Sequence, residues 1–241
     1  MANEPDYGID APRVILYLFA AGILCGSVAL LYPRITIGQI TFLLDPGLLY
    51  SVPWFFLPVT LMLVYSKVGK FRHRDRMLAK VSWTGDETVL DVGAGRGLLL
   101  IGAAKRLTSG YATGIDIWNA EDLSGNSPEA LLQNIVIEGV GGMVDVKSQD
   151  ARQMSFHDGT FNVVLSNLCL HNIYQLEGRH KALHEIARVL KPGGIAVISD
   201  FKHMQEYAGE LENCGLAVEM CPLDWTGTFP PLRILVARNA A

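Results

Sequence analysis

The chain has 241 residues, half of them hydrophobic, with 24 acidic against 20 basic side chains and a net charge of -4. That balance supplies no cationic surface for wrapping a polyanion, so nucleic acid is not an expected partner. Four cysteines, Cys25, Cys169, Cys214 and Cys221, have neither CxxC spacing nor a paired framework, which argues against a zinc site or a disulfide scaffold, and no metal is expected.

In chain order, residues 1–12 are polar and acidic, contain Pro5 and Pro12, and are expected to lack stable structure. Residues 14–32 then run for 19 positions without a charge. As a helix that is enough to cross about 30 Å of hydrocarbon. Pro33 and Arg34 are expected to end it. The acidic flank before this run, and the lack of a small-residue cleavage site before Pro33, favour a membrane span over a signal peptide. A second apolar run, 47–65, contains Pro53 and Pro58, which a membrane helix tolerates with a kink. Tyr50, Trp54 and Tyr65 suit the membrane interfaces. The linker 35–46 is itself apolar, compatible with a tight hairpin or a partly re-entrant segment. Two helices buried in a soluble core are the weaker alternative, because two uncharged runs of this length follow one another.

Lys67, Lys70, Arg72, His73, Arg74, Arg76 and Lys80 follow directly, whereas Arg34 is the sole basic residue between the two runs. The positive-inside rule then puts the basic segment and everything after it on the cytoplasmic side, with both termini there. A juxtamembrane helix is expected over 67–86. It suits anionic headgroups, although setting the topology would alone account for its charge.

From Thr88 the pattern changes to short β-rich runs alternating with helical segments, the signature of a parallel sheet covered on both faces. Strands are expected at 87–92, 111–116, 143–148, 161–166, 194–199, 216–221 and 232–238. A helix is expected over 98–107. Another should start after the Gly125-Asn126 turn, with Ser127 as cap, Pro128 in the first turn and Glu129 against the dipole. A later helix should run to Leu190 and be stopped by Pro192-Gly193-Gly194.

Between the first strand and its helix lies Gly93-Ala94-Gly95-Arg96-Gly97, a turn that brings backbone amides and a helix N-terminus close to a ligand. A dinucleotide fingerprint would need GxGxxG, but Leu98 stands where its third glycine would fall, so a nicotinamide cofactor is disfavoured. About twenty residues on, Asp116 ends the second strand, where a carboxylate accepts from two vicinal ribose hydroxyls.

Residues 89–97, Asp116, Gln149-Asp150-Ala151, residues 161–165 and Val189-Leu190-Lys191-Pro192-Gly193-Gly194 together resemble the ordered motifs of the class I S-adenosylmethionine-dependent methyltransferases. The resemblance covers about residues 80–239. It implies an α/β, doubly wound, mostly parallel seven-stranded Rossmann-like sheet with the last strand antiparallel, here preceded by an α-helical transmembrane hairpin. It also implies S-adenosylmethionine as cofactor, with Asp91, Gly93, Gly95 and Gly97 around its methionine end and Asp116 on the ribose. Ile117 would pack on the adenine, Asp150 would accept from its exocyclic amine with Ala151 nearby, and Asn167 would lie beside the methionine amino group. Taken singly, Gly93 and Gly97 would also serve tight packing, and Asp150 would cap a turn at 151–154. Asn162 departs from the Asp common at the start of the fourth strand, a position that more often serves structure than chemistry.

Methyl transfer from a sulfonium requires alignment and exclusion of water, and a general base only where the acceptor must lose a proton. His171, after the fourth strand in Asn167-Leu168-Cys169-Leu170-His171-Asn172, is the candidate base or substrate-orienting residue, against the alternative of a histidine hydrogen-bonded within its loop. Asn172, Tyr174, Asp200 and His203 are expected at the same mouth, and Cys169 is expected as a small buried residue. The organisation read from the chain is an N-terminal segment (1–66) with spans at about 14–32 and 47–65, the basic helix (67–86), and the S-adenosylmethionine-binding domain (87–241). Cover for the pocket should come from 66–86 and the loops near 167–176 and 200–206, which favours a small hydrophobic or lipid acceptor approaching from the membrane. A soluble acceptor, with the hairpin used for localisation, a non-catalytic cofactor-binding module and a nicotinamide-dependent Rossmann oxidoreductase are the alternatives. The sequence leaves the oligomeric state open.

Overall fold

The computed structural model describes residues 4–32, 34–43 and 45–240. Pro33, expected to end the first span, lies outside the described residues, as do Leu44 of the linker, Ala241 and the first three positions of the N-terminal segment.

Helix α1 (Pro12–Leu31) starts on a proline, whose fixed φ suits the first turn, and α2 (Asp45–Val64) carries Pro53 and Pro58 inside it. The two pack against each other where α1 is thinnest. A Cβ at Gly22 would lie 2.8 Å from Phe56 Cε2, and Phe19 meets Phe56 edge-to-face at 5.4 Å. Gly22 and Ala29 are the buried residues of α1, while Leu16, Tyr17, Leu24, Leu30, Tyr50 and Trp54 face outward. Both helices are long and apolar enough to cross a membrane. The linker forms two antiparallel strands, β1 (Arg34–Ile37) and β2 (Ile40–Leu43), turning at Gly38 with its positive φ of 63°. The sequence reading allowed for a tight connection but not for strands. Alternation of isoleucine and threonine about a glycine turn is the signal for them, and the Thr36 and Thr41 hydroxyls meet at 3.0 Å.

A π-helical turn (Tyr65–Gly69) joins α2 to α3 (Lys70–Leu78). Here the basic stretch departs from expectation. Lys70 and His73 are buried at 4% and 2% exposure, and Arg76 pairs with Asp224, so Lys67, Arg72 and Lys80 are the members left exposed without a carboxylate among the described residues. The reason is tertiary: α3 lies against the main apolar core through Met77 and Leu78, and its inner face carries Lys70 and His73 inward, where burial lowers the His73 pKa to about 4 and leaves the imidazole neutral.

Seven strands follow: β3 (Thr88–Val92), β4 (Tyr111–Asp116), β5 (Val144–Ser148), β6 (Phe161–Asn167), β7 (Leu190–Asp200), β8 (Ala217–Met220) and β9 (Arg233–Arg238). They pair in the order β5-β4-β3-β6-β7-β9-β8, with β9 reversed between β7 and β8 and every other pair parallel. Helices α4 (Leu98–Ala104), α5 (Pro128–Ile137), α6 (Leu176–Val189) and α7 (Met204–Asn213) cover the two faces, each over its own apolar core. Ser127 caps α5 as expected, its Oγ accepting from Ala130 N at 3.2 Å. Asn162 ties strand ends together, its Oδ1 accepting from Thr88 N at 2.9 Å and Lys191 Nζ at 3.1 Å.

Two expectations fail. Helix α6 stops at Val189, before the Pro-Gly-Gly run, because Leu190 is already extended and buried opposite Phe161; β7 then passes through Gly193 at a register shift. Residues 4–11 are also held in place. Asn134 clamps the backbone of Asp6 through both its Oδ1 (3.0 Å) and its Nδ2 (2.8 Å). Tyr7 is 6% exposed and donates to Glu138 at 2.6 Å, and Lys70 Nζ donates to the carbonyls of Tyr7 and Gly8 at 2.7 and 2.6 Å. A polar composition predicts disorder only when no partner is available, and here the partners lie more than 50 residues away.

Candidate functional site

The C-terminal ends of β3, β4 and β6 converge on the glycine turn. Gly93, Gly95 and Gly97 all hold positive φ, of 76°, 54° and 89°, a region open to glycine at little cost. The amides of Gly93 and Ala94 donate to the Ile115 carbonyl, which draws the turn over β4. Asp116 then accepts from Gly95 N at 2.8 Å on one carboxylate oxygen and from Trp118 N at 2.6 Å on the other, leaving further lone pairs for a ligand.

Asp91 is 1% exposed, and neither of its carboxylate oxygens has a hydrogen-bond partner among the described residues. Burial, with the Asp116 charge adding to it, pushes its pKa up to about 7. Asn167 Oδ1 is likewise buried and unpartnered. Asp150 is engaged by its neighbour: the Arg152 amide donates to it at 2.9 Å and the guanidinium grips both oxygens, holding its carboxyl below the usual range. The turn-capping role foreseen for Asp150 is therefore present, and lone pairs remain beside it.

His171 sits on the loop after β6, and Asp200, 1% exposed at the end of β7, holds it. The Asp200 carboxylate accepts from the His171 backbone amide at 3.2 Å and from Nδ1 at 2.9 Å, while the Phe201 ring meets the imidazole edge-on at 4.7 Å. A carboxylate accepts only, so Nδ1 carries the proton and Nε2 has no partner among the described residues. Cys169 packs against Gly93, where a Cβ would lie 2.4 Å from its Sγ, and burial pushes its thiol pKa up. That makes it an inert packing residue.

One cavity of about 900 Å³ gathers these groups. Asp91, Gly93, Gly95, Asp116, Ile117, Asp150, Ala151, Asn167 and His171 all line it, as do Asn172, Tyr174 and His203, while Asp200 stands behind His171. Gly97 does not line it. A Cβ there would lie 2.3 Å from Leu131 Cδ1, so Gly97 serves packing. Gly97→Ala is expected to destabilise the fold by about 2 kcal/mol through that overlap and the forced φ, read as a lowered Tm with donor affinity unchanged in the folded fraction.

Residues 90–198 match the family described as a methyltransferase domain. That stretch, from β3 to β7, carries a methyltransferase domain, whose methyl donor is S-adenosylmethionine. A demethylmenaquinone methyltransferase from Tropheryma whipplei is 33% identical over 124 residues, covering 52% of this chain and 46% of that enzyme. An uncharacterized protein from Haemophilus influenzae is 28% identical over 177 residues, 68% of this chain and 67% of that one. The chain thus matches under half of the Tropheryma enzyme and two thirds of the Haemophilus protein. The solved structure of an S-adenosylmethionine-dependent methyltransferase from Aquifex aeolicus shares the fold, with a TM-score of 0.54 at 21% identity over 68% of this chain and 88% of that one.

The methyltransferase domain fits its donor chemically. Besides its carboxylate, S-adenosylmethionine brings a sulfonium, an ammonium, two ribose hydroxyls and an adenine amine, which are positive or donating. The cavity offers acceptors for them, above all the unpartnered oxygens of Asp91 and Asn167. Part of the lining was not legible in the sequence. Tyr7, Asp10, Arg13 and Val14 border the cavity, as do Asn119, Glu121, Asp122 and Leu123 beyond β4, while from 66–86 only Ser66 and Lys70 reach it. No periodicity marks the N-terminal residues. Only their long-range partners reveal them.

Proposed function

We propose that this chain methylates a hydrophobic acceptor that reaches the cavity from the bilayer. The observation that carries this reading is that one cavity runs from Gly93, Asp116 and His171 to Leu18 of α1 and to Pro58 and Met62 of α2. Pro58 has no N–H for the Trp54 carbonyl, which loosens α2 beside that lining. An apolar acceptor lying between the two helices would meet the reacting methyl without crossing water.

In this reading Asp91 and Asn167 accept from the donor's ammonium, Asp116 from its ribose, and Gly93 and Gly95 keep the backbone clear of its methionine end. Ile117, Asp150 and Ala151 border its adenine. The donor supplies an electrophilic methyl group for in-line displacement. His171 takes the acceptor's proton at Nε2, and Asp200 keeps the other proton on Nδ1. The chain divides into a membrane unit (1–66), a juxtamembrane helix (67–86) and a catalytic domain (87–241). Exposed Lys67, Arg72 and Lys80, against Arg34 alone in the linker, support a cytoplasmic catalytic side.

The Tropheryma relative makes a demethylated quinone the first acceptor to try. Membranes containing the chain, supplied with labelled methyl donor and a lipid extract, are expected to place label in the organic phase. Label found only on water-soluble acceptors would overturn the reading in favour of a soluble substrate.

A further inference from the structure

Residues 4–11 form no regular element, yet they are held at almost every step. Arg96 reaches Asp6 at 3.1 Å, the Ile9 amide donates to Ser124 Oγ at 2.7 Å, and Asp10 bridges to Leu123. Gly8 lies so close that a Cβ would stand 2.8 Å from the Ser124 carbonyl and 3.2 Å from Arg96 Cδ. Leu123 in turn rests on the glycine turn, 3.0 Å from where a Cβ of Gly95 would be. The segment therefore presses the loop after β4 onto the donor site.

Both apolar helices end on the same segment. Helix α1 begins at Pro12, immediately after it. The π-helical turn that continues α2 supplies Ser66, whose Oγ donates to Asp10 Oδ2 at 3.0 Å and accepts from the Asp10 amide at 3.2 Å. One turn later Lys70 holds the Tyr7 and Gly8 carbonyls, with Asp10 at 3.8 Å. A π-bulge at this junction aims both side chains at the segment, a placement common at functional sites.

We propose that residues 4–11 are a strap through which the membrane hairpin closes the donor side of the cavity, so that seating in the bilayer and donor binding reinforce each other. This rests on α1 and α2 spanning a membrane. By linkage, whatever holds the strap down raises donor affinity, and the bound donor holds the strap down in return.

The test uses the full chain in phosphatidylcholine–phosphatidylglycerol nanodiscs and in detergent, with S-adenosylhomocysteine as probe. Hydrogen exchange of amides 6–11 is expected to slow several-fold on binding, and affinity to be tighter in nanodiscs than in detergent. Gly8→Val, which forces the strap off Ser124, should weaken binding roughly tenfold, the scale set by losing one or two strap hydrogen bonds. Lys70→Met should act in the same direction, and the ligand-free Tm of the Gly8 variant checks that it folds. Unchanged exchange on binding, or wild-type affinity in a folded Gly8→Val, overturns the strap. Equal affinity in nanodiscs and detergent overturns the bilayer coupling. A chain that fractionates as a soluble protein overturns the membrane reading, and the strap is then judged on exchange alone.

Discussion

His171→Ala is expected to lower kcat by about three orders of magnitude, near the middle of the range for a lost general base, with little change in donor affinity. The imidazole is placed to accept a proton. Asp200 accepts from Nδ1, the Phe201 edge fixes the ring plane, and Nε2 is left free on the cavity. Asp200→Asn tests the same arrangement from behind. An amide in that place can donate to Nδ1, which moves the proton to Nε2 and removes the base without removing the ring. Its kcat should therefore fall as well, although Asp200 touches no substrate. Single-turnover methylation by both variants checks this. An unaltered rate in His171→Ala would mean that the acceptor attacks without losing a proton in the rate-limiting step, and His171 would then be the loop-bound histidine that the sequence also allowed.

Asp91→Asn is expected to move stability and donor binding in opposite directions. The carboxyl is fully buried without a partner among the described residues, and its folded pKa of about 7 lies above the ordinary 3.8. Ionisation therefore opposes folding. The penalty is absent below about pH 4, grows as pH rises, and is complete above about 7. The asparagine variant should accordingly show a higher ligand-free Tm at pH 8, with a gain that fades as pH falls toward 4. Donor binding should instead weaken by about a hundredfold or more, because the donor's ammonium loses a buried countercharge. In the wild type, binding below pH 7 must first displace the Asp91 proton, so affinity should drop up to tenfold per pH unit until the lower pKa of the complex is reached. Calorimetry in buffers of different ionisation enthalpy would register the released proton. Pairing of Asp91 with something other than the donor would leave both the affinity and its pH slope unaltered.

The features legible in the sequence are those that local patterning encodes. Each of the seven sheet strands lies within a few residues of its expected place, because β-branched runs and glycine turns are properties of neighbouring residues. The glycine turn and Asp116 could be read for the same reason, since they sit at strand ends that periodicity locates, whereas Asp91 was marked only by the family resemblance. The two charge-free runs became the two long helices because hydrophobic length is also a local quantity. Gly97 shows the limit, since the motif alone could not tell a glycine that clears a ligand from one that clears Leu131.

What only the tertiary structure decided depends on residues far apart in the chain. The tie between His171 and Asp200 joins the ends of two different strands. Burial of Lys70 and His73 turns two residues of an apparently solvated basic stretch inward, and Asn134 and Lys70 give order to residues 6–8, whose composition suggests none. The cavity itself is assembled from α1, α2, the strap and three strand ends. Sequence by itself determined two long apolar runs followed by alternating strand and helix signals around a glycine turn, and its ordered motifs resembled those of the S-adenosylmethionine-dependent methyltransferases. Folding decided that helices and site share one cavity, because side chains from opposite ends of the chain meet only once the sheet has brought them together.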